Sequence, residues 1–185
     1  QKTKPTGAKN LEELARRLRG KIDYHEPDVP AAQAAHEKYD VPMSKEQANL
    51  YRGMYERIPF LLRQKMKGDY PVDKKELARL TSFLTGPRQV GLSVLPFMKR
   101  PDPIRAYETS PKLQKAVDLL KTRLAADARA KALVFSNYVG AGLGPYQAAL
   151  ERDGTPSGVS HGGLTDAARQ TLVDDHNADS IRVAL

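Results

Sequence analysis

Two short stretches of this 185-residue chain hold side chains whose types and spacing suit an anion. In "KALVFSNY" an apolar run ends in Ser136, Asn137 and Tyr138. The carboxyl end of a strand in a parallel sheet faces the crevice where such sheets bind ligands. A hydroxyl and an amide there are small groups that can reach phosphate oxygens. The same residues would also serve as ordinary caps for a following helix. In "SHGGLTDAAR", Gly162 and Gly163 make a tight turn before a helix capped by Thr165 or Asp166. Backbone N–H groups at a helix start, approached past glycines, suit a phosphate. Arg169 lies one turn along and can add a charge-assisted bond. A plain capped helix would satisfy the same pattern.

Other chemistry is poorly served. His161 and His176 stand 15 residues apart, with no partner at i,i+4. Asp174, Asp175 and His176 close a helix, where a histidine answers the helix dipole. No metal site is read from them. "GAGLGP" holds Gly140, Gly142 and Gly144 but lacks the third spacing of a dinucleotide fingerprint. It reads as a flexible loop after the strand, with Pro145 beginning a helix.

The elements that must position these residues come in two kinds. "NLEELARRLRG" reads as a short helix, with Asn10 as N-cap and Gly20 as its end. Its cluster Arg16, Arg17, Arg19 and Lys21 either tracks a phosphate backbone or is a solvated face. A proline-broken connection follows, with a short strand near Lys38–Met43. Ser44 and Gln47 form a capping box for a second helix that Pro59 ends or kinks. A third helix runs from Asp73 to a stop at Gly86-Pro87. "PFMKRPDPIRAYETSP" reads as a proline-rich connection. Ser110 and Pro111 open a fourth helix. Then "KALVFSNY", "GPYQAALERDG", "SGVSHGG", "TDAARQTLVDDHN" and "IRVAL" alternate strand and helix, the signature of a parallel α/β sheet. The fold class is α/β: a helical part over residues 1–108, then a parallel α/β part over 109–185.

The net charge of +8, from 30 Lys+Arg against 22 Asp+Glu, favours a polyanionic partner, although dispersed charge would give the same sum. No run of residues is long and apolar enough to span a membrane. The chain has no cysteine, which excludes disulfides and thiolate metal sites and fits an intracellular setting, cytoplasmic or nucleoid-associated.

In their order, "SPKLQKAVDLL", "KALVFSNY", "VSHGGLTDAARQTLVDDHN" and "IRVAL" resemble the first half of the second RecA-like lobe of superfamily-two helicases, in particular the Swi/Snf-like and viral branches. "LARRLRGKIDYHEPD" and "YDVPMSKEQANLYRGM" resemble the helical segments leading into that lobe. The resemblance implies an incomplete RecA-like lobe at 109–185, behind a lead-in or insertion region. It implies nucleic-acid contacts from Ser136, Asn137, Tyr138, Gly162, Gly163, Thr165 and Arg169, with DNA favoured over RNA as the partner and RNA left open. Asp166 stands where the family often has Gln, and its charge opposes a phosphate. ATP and Mg2+ would belong to a parent helicase or translocase. This segment holds neither a G-x-x-x-x-G-K-[ST] loop nor an Asp-Glu metal motif, so it should be inactive alone and bind no cofactor. Its missing partner is the first RecA-like lobe, and "IRVAL" reads as a strand cut off within the second. The other function class is a non-catalytic, helicase-derived binding or structural module, such as a virion component.

Overall fold

The computed structural model describes residues 36–68, 71 and 73–185. The helix read at 10–20 and the Arg16–Lys21 cluster lie outside the described residues. Residues 36–44 are irregular rather than the strand expected near Lys38–Met43.

Ser44 and Gln47 do make a capping box, and helix α1 runs Lys45–Glu56. The chain then breaks at Pro59, which precedes α2, Phe60–Met66. Asp73 and Glu76 form a second capping box at the head of α3, Lys74–Val90. Lys65 of α2 reaches Glu76 at 2.6 Å and ties the two helices. Ile58, Leu62 and Leu80 form a small core here. The expected stop at Gly86-Pro87 does not occur, since α3 continues through both to Val90. A Cβ at Gly86 would lie 3.1 Å from the Met54 sulfur, so glycine permits the close approach of α1 and α3. Burial of Pro87 and Val90 holds the last turn in helical form.

The proline-rich connection also holds more structure than expected. A 3-10 turn spans Leu95–Phe97, and α4 spans Pro103–Glu108. Asp102 caps α4, accepting from Arg105 N at 3.0 Å, and Pro103 occupies the first helical position. Helix α5, Pro111–Ala126, buries Leu113, Val117 and Leu120 along one stripe. Strand β1 is Ala132–Leu133. Helix α6 is Gly144–Arg152, β2 is Ser157–Gly158, α7 is Asp166–Asn177 and β3 is Val183–Ala184.

The three strands are parallel, in the order β1-β3-β2. Ala132 and Ser157 both register with Val183. Parallel strands need helical crossovers, and α6 and α7 supply them. The main core joins Tyr107 of α4 to Val117, Tyr146, Leu150, Val183 and Leu185. Packing therefore crosses the 108/109 line, because α4 lies against α5 and α6. Arg182 donates to the carbonyls of Leu124, Asp127 and Ala130, closing the end of α5 and the turn before β1.

Candidate nucleic-acid interface

After β1, Val134 N still donates to Ala184 O at 2.8 Å, and the chain bends at Asn137. The Ser136 hydroxyl accepts from Tyr138 N and donates to Tyr138 O, both at 3.2 Å. Tyr138 O in turn accepts from Gly142 N at 2.9 Å. Val139–Leu143 is one π-helical turn, with Ala141, Gly142 and Leu143 buried. The flexible loop expected at "GAGLGP" is thus a packed element. A Cβ at Gly142 would fall 2.2 Å from Ser136 Oγ and 3.3 Å from Leu92. Only glycine lets the turn close over Ser136.

Three polar side chains are fully buried among the described residues: Gln47, Ser93 and Ser110. All three act at one place, the segment after α3. Gln47 Nε2 donates to Val90 O at 2.7 Å and to Leu92 O at 3.3 Å. The Ser110 hydroxyl also donates to Leu92 O, so it makes no side-chain bond to the head of α5. Ser93 Oγ donates to Ala141 O at 2.6 Å. A buried polar latch thus connects α1, the end of α3, the start of α5 and the π turn. Sequence reasoning read Gln47 and Ser110 as caps and did not single out Ser93. Long-range carbonyl partners leave no mark in local spacing.

A cleft of about 630 Å³ opens beside the turn. Ser136, Asn137 and Tyr138 line it together with Arg88, Lys112 and apolar walls such as Leu113. Asn137, Arg88 and Lys112 are exposed. Arg88 and Lys112 have no ion-pair partner among the described residues. The sequence offered one signal for Lys112, its place beside Pro111 at a helix head. For Arg88 it offered only a late position in α3. Tyr146 backs the cleft. Burial pushes its phenol up to about 12, and its hydroxyl lies 3.3 Å from Ala116 O. It stays protonated and does no acid–base work.

The second constellation is organised differently. Thr165 caps α7, accepting from Ala168 N at 3.2 Å. His161 Nδ1 accepts from Gly163 N at 3.1 Å. Arg169 donates to Asp166 at 3.0 Å and to Leu164 O at 2.9 Å. Gly162 is exposed. The Gly163 amide and the Arg169 guanidinium are already engaged, and none of Gly162, Gly163, Thr165 or Arg169 lines the cleft. The structure brings together the first three expected residues and leaves the other four as a separate turn after β2. Both turns follow parallel strands, so they lie at the same carboxyl end of the sheet.

A parallel sheet crossed by α6 and α7, preceded by α5 and a helical lead-in, has the fold of an incomplete RecA-like α/β lobe. A solved structure that it resembles is the Sulfolobus solfataricus SWI2/SNF2 ATPase C-terminal domain. The TM-score is 0.57 at 17% identity, covering 77% of this chain and 58% of that domain. No described protein family matches the sequence, and no curated protein does. Among the described residues there is no cluster of three or more His, Asp or Glu able to hold a metal ion. No helix among them is long and apolar enough to cross a membrane.

Proposed function

We propose that the chain is part of an ATP-dependent helicase or nucleic-acid translocase, in which it supplies backbone contacts and part of the second motor lobe. One observation carries the reading. In a fold of this type, the carboxyl end of β1 opens on a cleft bearing two cations without counter-charges and an exposed amide. Phosphates are the natural partners of such groups. The primary contacts are Ser136, Asn137 and Tyr138, joined by Arg88 and Lys112. Gly162, Gly163, Thr165 and Arg169 form a second contact in which Arg169 exchanges Asp166 for a phosphate. DNA is the favoured partner, and the setting is intracellular.

The residues here do not fit a Mg-nucleotide, because the sequence holds no phosphate loop and the described residues hold no carboxylate cluster. No step of hydrolysis is assigned to them. ATP, Mg2+ and the first RecA-like lobe belong to the parent protein. The self-contained pairing of Arg169 favours a second reading, a non-catalytic binding module.

Fluorescence anisotropy with labelled duplex DNA tests the proposal. Asn137→Ala and Lys112→Gln should each weaken binding about five- to tenfold, and Lys112→Gln should lower the salt slope by about one. Binding that ignores salt, or variants that bind as well as the parent chain, would refute the cleft contact.

A further inference from the structure

Helices α1 and α2 carry aromatic rings and cations that the cleft does not use. Tyr51 and Tyr55, one turn apart, stack with ring centroids 6.3 Å apart and planes within 9°. Arg63 places its guanidinium 6.0 Å from the ring centroids of both Tyr55 and Phe60. A hollow of about 80 Å³ opens among Tyr55, Phe60, Arg63, Gln64 and Lys67. Residues 45–67 hold six Lys or Arg against two Glu.

Two of these side chains are unsatisfied in complementary ways. Phe60 is 63% exposed, so its ring gains little from the core. Arg63 has no ion-pair partner among the described residues, and its buried Nε meets no acceptor. A guanidinium between two rings, without a counter-charge, is poised for an anion. An exposed ring beside it is poised for a flat apolar surface. A nucleotide with an unpaired base offers both at fixed spacing, the base for the ring and the phosphate for the cation. A duplex keeps its base faces stacked and offers only phosphates. An acidic peptide would satisfy Arg63 and Lys67 but leave Phe60 bare.

We propose that this patch binds single-stranded nucleic acid, with a base stacked on Phe60 and the adjoining phosphate on Arg63 and Lys67. The proposal shares with the motor reading only the nature of the partner, and it rests on a different part of the chain.

The chain contains no tryptophan, so Phe60→Trp places a lone indole reporter at the stacking position. Titration with an oligothymidylate of roughly 20 nucleotides should quench its emission saturably, and added salt should weaken the binding. An abasic oligomer of equal length and polyglutamate should leave the emission unchanged. In the otherwise native chain, Phe60→Ala should lose about tenfold in affinity for oligothymidylate, within the range for one base–aromatic stack. Phe60→Tyr should stay within about twofold, because it keeps the ring. Quenching by the abasic oligomer would reduce the patch to a phosphate contact, and quenching by polyglutamate would make the partner an acidic peptide. Either result overturns the proposal, as does undiminished binding by Phe60→Ala. Duplex binding by Asn137→Ala reports on the cleft and indole quenching reports on this patch, so either reading can fail alone.

Discussion

Gln47 is the best place to test how the helical part and the sheet are joined. Gln47→Leu keeps the volume and removes both amide donors. Leu92 O retains the Ser110 hydroxyl, but Val90 O loses its side-chain donor. A carbonyl stripped of its partner inside a protein costs roughly 1–3 kcal/mol. The capping box on Ser44 loses its return bond, worth about 0.5–1 kcal/mol. The added apolar surface returns part of this, leaving a net loss of about 2 kcal/mol. Urea unfolding followed by far-UV circular dichroism measures it. Gln47→Glu supplies the internal check. A carboxylate facing two carbonyl oxygens is favoured only when protonated, so its folded pKa rises above its unfolded value. Its stability should be near that of the parent chain below roughly pH 4 and should fall as pH rises through the folded pKa. A Leu variant within about 0.5 kcal/mol of the parent chain, or a Glu variant indifferent to pH, would show that the latch contributes nothing.

Gly142→Ala should destabilise by about 1–3 kcal/mol through its clash with Ser136 Oγ, and adding Ser136→Ala should recover part of that in the same unfolding assay. The Asp153 carboxyl is held below the usual range first by its hydrogen bond from Lys121, with the Lys121 and Arg152 charges adding to the effect. That stability is present above the ordinary carboxylate range and is lost as pH falls through the depressed pKa, so Asp153→Asn should flatten the acid limb of a pH–stability curve. If the turn after β2 contacts nucleic acid, Asp166→Asn should tighten duplex binding about two- to fivefold by freeing Arg169, and Arg169→Ala should weaken it by a similar factor. Equal affinities of both variants in anisotropy titrations would leave that turn out of the interface.

Much of the fold was legible because its signals are local. The Ser44–Gln47 box, the break at Pro59, Asp73, Pro111 and the Thr165 cap each act within one turn of helix. The alternation of strand and helix after Lys131 is likewise written in short runs. The errors fall where distant packing overrides a local rule. Gly86-Pro87 would end an isolated helix, yet contact with Met54 and burial of Val90 carry α3 past it. Asp102-Pro103 is itself a helix start, hidden in a stretch that reads as proline-rich. "GAGLGP" looks loose until Leu92 and Ser136 close on Gly142. In the candidate site, the strand-end residues follow from the pattern, whereas Arg88 reaches the cleft only because α3 overruns its expected end.

Strand β1 has a consequence for the chain in solution. It lies at one side of the sheet, with β3 as its sole neighbour among the described strands. Leu133 on it and Phe135 two residues beyond it are 81% and 88% exposed. An open strand edge carrying greasy side chains is adhesive toward any second edge. The opposing influence is the net charge of +8, which keeps copies apart. That repulsion acts over about 10 Å at 0.1 M salt and shortens as salt is added. Adhesion between apolar side chains does not fade in this way. Colloidal stability is therefore greatest in dilute buffer, and salting in, the usual remedy for a basic protein that precipitates, works here against the experimenter.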